Sequence, residues 1–194
     1  MKPPQLQDLP ESDAHLRETC TSSAEVYQGQ FLKVKKDIVR LPDGQEHFRE
    51  YFVHPGAVAI VPILPDGRIL LERQFRYPVD AAMIEIPAGK LDPNEDPLVC
   101  AQRELKEETG YTATEWSYLG RIHPVISYST EIIEIYMAKN LVQGTAKLDA
   151  GEFLDVFAAT LSEMHEWIAT GQITDVKTII AVYHLSRLPQ FRDV

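Results

Sequence analysis

A chain of 194 residues is the size of one globular domain, or of one domain with a modest appendage, and not of a multi-domain assembly. With 44% hydrophobic and 25% charged residues it can bury a real core, which excludes wholesale disorder. Nineteen Lys+Arg against 29 Asp+Glu leave a formal charge of −10, the wrong sign for nucleic acid or anionic lipid as the main partner.

Residues 1–20 are polar, rich in Pro, Asp and Glu, and lack apolar periodicity, so they read as a loose arm. No apolar leader opens the chain, and the run from Ala57 to Leu64 is broken by Pro62 and too short to cross a bilayer. Cys20 and Cys100 form neither a CxxC pair nor a zinc spacing. A reducing, cytoplasmic location is the expectation. From Tyr27 to Val53, strand-like runs flank Asp43-Gly44, a hairpin signal. A second hairpin is expected around Asp66-Gly67, between the more apolar and more central runs Val58 to Leu64 and Arg68 to Phe75. Met83 to Ile86 reads as a short strand.

Asp96-Pro97 opens a helix, with the aspartate in a capping role and proline at the first helical position, and Gly110 is placed to end it. Trp116 to Ile122, Glu131 to Met137 and Phe153 to Ala158 again read as strands. Thr160-Leu161-Ser162-Glu163 matches a capping box for a helix ending near Gly171, and Asp175 to about Leu188 reads as a packed terminal helix. Mixed strands and helices without a repeat predict an α/β (α+β) fold.

The chemistry concentrates on the helix after Asp96. Glu104 lies three residues from Glu107 and four from Glu108, so these carboxylates share a face, opposite Leu98, Ala101 and Leu105. Like charges at that spacing cost about 0.2–0.5 kcal/mol per pair and stand at the negative end of the helix dipole. Arg103 is four residues before Glu107, but one arginine cannot neutralise the cluster. Hard carboxylate oxygens point to Mg²⁺, with Mn²⁺ as the alternative. An acidic run alone is usually a solvated face.

The whole string from Gly89 to Tyr111 is far more specific. Gly89, Glu95, Arg103, Glu104, Leu105, Glu107, Glu108 and Gly110 match the Nudix box at its spacing, and Tyr111 replaces its usual final aliphatic residue. The chain therefore resembles a Nudix hydrolase. That resemblance implies an α/β/α sandwich around a mixed sheet and hydrolysis of a nucleoside diphosphate linked to another moiety. It carries metal ligation onto Glu104, Glu107 and Glu108, with the backbone carbonyl of Ala88, while Glu95 and Arg103 orient the helix.

Over most of the chain the resemblance is to the ADP-ribose pyrophosphatase group, through Leu70 to Tyr77 and through Ile84-Glu85-Ile86-Pro87-Ala88-Gly89. It implies that Arg76 contacts substrate phosphate and that Glu85 either bonds substrate hydroxyls or supports the metal helix. Glu131 is the substrate-side acid of the altered loop after Pro124. Glu152 is the candidate base or substrate-linked metal ligand, completing a catalytic set with Glu107 and Arg103. The group's strand-rich N-terminal segment, here residues 21–54, swaps across a homodimer ahead of a hydrolase domain at 55–194. The resemblance also implies base stacking by aromatic residues of this segment, for which Phe31, Tyr51 and Phe52 are the candidates, and the spacing does not choose among them. The histidines form no HExxH, and no Walker loop, GxSxG elbow or GxGxxG is present. The implied substrate is ADP-ribose or a related nucleoside diphosphate sugar, with no nucleic-acid or membrane partner. The alternatives are an ADP- or GDP-hexose hydrolase and a non-catalytic nucleotide-sugar sensor.

Overall fold

The computed structural model describes residues 5–6 and 10–191. The expected arm lies partly outside the described residues. Within 10–20, Asp13–His15 form a 3-10 turn and Thr19 already begins a strand. The chain divides into two units, one running to His54 and including Val125–Thr130, the other spanning Pro55–Pro124 and the chain from Glu131.

The first unit is an antiparallel sheet of β1 (Thr19–Gln28), β2 (Lys33–Arg40) and β3 (Glu46–Val53), in that order. The Asp43-Gly44 turn closes β2 on β3 as its residues predict: Gly44 takes φ 87°, and Asp43 Oδ1 accepts from Gln45 N at 3.0 Å. β1 is exposed along its whole length, with Val26 and Tyr27 among its residues.

The second unit holds two sheets. β4 (Ala57–Pro62) lies in a mixed sheet ordered β7-β4-β9-β8, where β7 is Ala88–Lys90, β8 Tyr111–Ile122 and β9 Ile133–Gln143. β5 (Ile69–Arg76) is the centre of an antiparallel sheet with β6 (Ala81–Glu85) and β10 (Leu154–Ala159). The Asp66-Gly67 turn forms, but the expected hairpin does not. After the single bridge Ile63↔Ile69, β4 and β5 part into different sheets. β4 is buried at every position, the pattern of a strand covered on both faces, and it pairs parallel to β9 and antiparallel to β7.

Alternation along β4 splits the core. Val58 and Ile60 pack with Cys100, Ala101 and Leu105 of α1 (Pro97–Thr109). Ala57, Ala59 and Val61 face the other way, into a core shared with β5, β9, α2 (Leu161–Ala169) and α3 (Val176–Arg187). The mixed sheet thus carries α1 on one face and the second sheet with α2 and α3 on the other. The capping box of α2 is complete, and Asp175 caps α3.

Candidate active site

α1 is fixed at both ends by the residues that predict it. Asp96 Oδ1 accepts from Leu98 N at 2.9 Å and Val99 N at 3.3 Å, and Gly110 closes the helix at φ 76°. With Ala101 and Leu105 anchored under the mixed sheet, the glutamates fall along the flank facing β7 and β5. Arg103 organises the outer part of that flank. Its Nε and Nη2 grip Glu95 at 2.9 Å each, while Nη1 reaches Glu104 at 2.7 Å and Glu107 at 3.1 Å. The Arg103 guanidinium holds the Glu95 carboxyl down to about 2.

Glu108 lies deeper. It is buried, and its Oε2 accepts from Ala88 N at 3.1 Å. Its carboxyl interacts with that of Glu72 on β5, which is equally buried. Burial first, and the surrounding acids with it, pushes Glu108 far above the ordinary carboxylate range, and burial likewise raises Glu72. Glu104 is raised too, by burial above all. Glu152 adds its field to all three, and its Oε1 accepts from Gln74 Nε2 at 3.2 Å.

Gly89 makes room for this group. A Cβ at position 89 would stand 1.9 Å from Glu104 Cδ and Oε1, so the β7 backbone and the Glu104 carboxylate share one small cradle.

A second acid beside the first is treated differently. Glu85 stands opposite Glu72 in the β5–β6 register and is as deeply buried. Arg76 clamps it through Nε (2.6 Å) and Nη2 (2.9 Å), and Lys177 of α3 pairs with it while also meeting Asp175 at 3.1 Å. Burial works to raise Glu85, but Arg76 and Lys177 outweigh it and hold the carboxyl below its ordinary value.

The residues suit a hard divalent cation. Among the described residues no three Asp, Glu, His or Cys side chains converge as they stand to hold an ion, and Arg103 bonds both Glu104 and Glu107. The donors are nonetheless all oxygens, and the cradle at Gly89 admits a carboxylate where a Cβ would not.

The NUDIX domain family matches residues 53–179, more than half of the chain. The chain belongs to the Nudix family. Residues 18–52 match the nucleoside diphosphate sugar hydrolase N-terminal domain. The methanol dehydrogenase activator of Bacillus methanolicus is 40% identical over 170 residues, covering 87% of this chain and 92% of that protein. The ADP-ribose pyrophosphatase of Bacillus subtilis (strain 168) is 33% identical over 172 residues, covering 88% and 93%. A solved structure described as an ADP compounds hydrolase shares the fold at a TM-score of 0.78 and 24% identity, covering 87% of this chain and 92% of its own.

Of the candidate residues of this Nudix hydrolase, Ala88, Arg103, Glu104, Glu107, Glu108 and Glu152 come together, with Arg76 and Glu85 beside them across β5 and β6. Glu131 is half-buried two residues ahead of β9. Tyr51 is tied to Asp37 at 2.9 Å, Phe52 meets Tyr128 edge-on, and Phe31 meets His54 edge-on. Sequence reasoning gives no role to Glu72, Gln74 or Lys177. The available signal for Glu72 was an acid following Leu70-Leu71 inside an apolar strand. Lys177 carries none, since a lysine beside a helix cap reads as surface.

Proposed function

We propose that this Nudix hydrolase cleaves the pyrophosphate of a nucleoside diphosphate sugar, with ADP-ribose first among substrates, giving a nucleoside monophosphate and a sugar phosphate. The observation that carries the reading is the Glu104, Glu107 and Glu108 flank set against the Gly89 cradle, on a chain whose relatives include ADP-ribose pyrophosphatases. Glu104, Glu107 and Glu108, with the Ala88 carbonyl, would hold Mg²⁺. Bound there, the cation would supply charge neutralisation at phosphate oxygens and acidify a water.

The chain's own residues do the rest. Arg103 positions Glu104 and Glu107 and takes its own orientation from Glu95. Arg76 is half-exposed, and its planar guanidinium suits a phosphate oxygen at the edge of the site. Glu85 fixes that guanidinium from below. Glu152 is the candidate proton acceptor, oriented by Gln74. Glu131 is retained as a substrate-side acid.

The exposed face of β1, with Phe48 of β3 also exposed, supports pairing of residues 21–54 with a second copy in a homodimer, ahead of the hydrolase domain at 55–194. Among the described residues no helix is long and apolar enough to cross a membrane. The free cysteines Cys20 and Cys100 fit the cytoplasm as the working compartment.

A panel of ADP-ribose, ADP-hexoses and GDP-mannose, assayed for nucleotide release with Mg²⁺ and with chelator, tests the reading. Metal-dependent AMP release from ADP-ribose ahead of the others is the expected result. Faster GDP-mannose cleavage would favour the second reading, which the 33% identity to the GDP-mannose pyrophosphatase of Yersinia enterocolitica supports. Turnover undiminished in Glu107→Gln and Glu108→Gln would refute the site. Sedimentation showing only monomer would refute the dimer.

A further inference from the structure

Glu72 is the carboxylate that the Nudix box does not account for. It follows Leu70 and Leu71 on β5, both buried, at a position where an apolar side chain would pack without electrostatic cost. It is instead an acid, 3% exposed, and its Oε1 is fully buried with no hydrogen-bond partner. Its neighbours make the choice stranger as a purely structural one. Glu72, Gln74 and Arg76 alternate onto one face of β5, and on that face Glu72 meets the carboxyl of Glu108 and feels the charges of Glu152 and Glu85.

The nearby cations make their direct bonds elsewhere, although the charge of Lys177 is also felt at Glu72. Arg76 and Lys177 both bind Glu85, and Arg103 is shared among Glu95, Glu104 and Glu107. The acids Glu72, Glu104, Glu108 and Glu152 therefore gather with a deficit of positive charge, and two of them are almost wholly removed from water. A buried carboxylate without a cation is disfavoured unless an ion enters.

We infer that Glu72 is a fourth carboxylate of the divalent-cation site, contributed by β5 from outside the Nudix box, and that it acts as a positioning residue behind Glu108 to strengthen cation binding. This rests on the hydrolase reading only in requiring that the site takes a divalent cation. Supporting carboxylates of metal centres act in this way, orienting the ligand in front of them and adding to the field at the ion, and their loss weakens metal binding about 10–100-fold.

The test uses the full-length chain stripped of metal and titrated with Mn²⁺ alone, the free ion being followed by electron paramagnetic resonance. Thermal unfolding is recorded in parallel in chelator and in saturating Mn²⁺. Glu72→Gln keeps the shape of the side chain, Glu72→Leu replaces it by the apolar alternative, and Glu115→Gln, at an exposed position of β8, is the control for loss of a charge. The expected result is Mn²⁺ binding about 10–100-fold weaker in both Glu72 variants, unchanged in the control, with unfolding in chelator no lower than wild type. Should Glu72→Leu fail to fold, Glu72→Gln decides. Mn²⁺ affinity within twofold of wild type in Glu72→Gln, whatever happens to stability, would show a structural acid pair and overturn the inference alone. Absence of any Mn²⁺ binding by the wild-type chain would overturn both it and the hydrolase reading.

Discussion

Replacing Gly89 by alanine separates the chemistry of the site from the stability of the fold. Gly89 is not in the left-handed region and pairs with Val58 as an ordinary β7 residue, so its backbone would accept a side chain. The obstacle is the Glu104 carboxylate, 1.9 Å from the new Cβ at Cδ and Oε1 and 2.4 Å at Cγ. Regaining an ordinary carbon contact of ~3.5 Å requires the carboxylate to move by about 1.5 Å. Glu104 is the end of a flexible side chain, so this displacement costs about 0.5–1.5 kcal/mol in an off-rotamer χ, together with part of the 2.7 Å bond from Arg103. Misplacing a catalytic group by about 1 Å costs on the order of 10²-fold in rate. The expected outcome is therefore a loss of about 1–2 kcal/mol in urea unfolding against a fall of about 100-fold in metal-dependent kcat/KM. Gly89→Ala turning over within threefold of wild type would refute the placement of Glu104 in the site.

Gly110→Ala should show the reverse balance: φ is 76°, and the added Cβ would lie 2.6 Å from Ala146 N, which is backbone and cannot swing aside. A loss of about 2–3 kcal/mol in urea unfolding is expected, and one below about 0.5 kcal/mol would contradict the described helix end. Lys177→Met leaves buried Glu85 with Arg76 alone and should cost about 3 kcal/mol, measured the same way, whereas a neutral effect would mean Arg76 suffices. The Glu95 carboxyl is held at about 2, below its unfolded value of ~4.3, so its contribution to stability is complete above pH ~4.3 and is lost as pH falls toward 2. The gap in urea midpoint between wild type and Glu95→Gln should accordingly shrink from pH 5 to pH 2, and a constant gap would show that the pair with Arg103 does not stabilise the fold.

What was legible in the sequence was what short-range chemistry decides. The caps at Asp96, Thr160 and Gly110 act within one turn of their helices, and Asp43-Gly44 and Asp66-Gly67 set their turns wherever the flanking strands go. The partners of those strands are a different matter. Nothing local distinguishes a β4 that folds back on β5 from one that takes β7 and β9, because the difference lies in burying both faces of β4 against α1 and α3. The same limit applied to the site. The spacing of Glu104, Glu107 and Glu108 puts them on one helical face, and a helix reading reaches them. Glu72 joins Glu108 only because β5 lies across from α1, and Lys177 reaches Glu85 only because α3 packs behind β6.

The two buried acids of the central antiparallel strands show how this fold assigns charge. Glu72 and Glu85 are register partners, nearly equal in burial, so desolvation alone would treat them alike. Their neighbours make them opposites. α3 and the end of β5 bring Lys177 and Arg76 to Glu85 and hold its carboxyl below the ordinary value, whereas burial raises Glu72 and Glu108, for Glu72 against the opposing influence of Glu108 and of the Lys177 charge. An acid that the protein neutralises with its own cations is complete as it stands and serves to orient Arg76. Glu72, set among other acids with only the more distant charge of Lys177 to oppose them, is the one that the proposed divalent cation would complete. Within a protein of net charge −10, the proposed cation site therefore draws on the burial of Glu72 beside Glu108 as well as on the glutamates of α1.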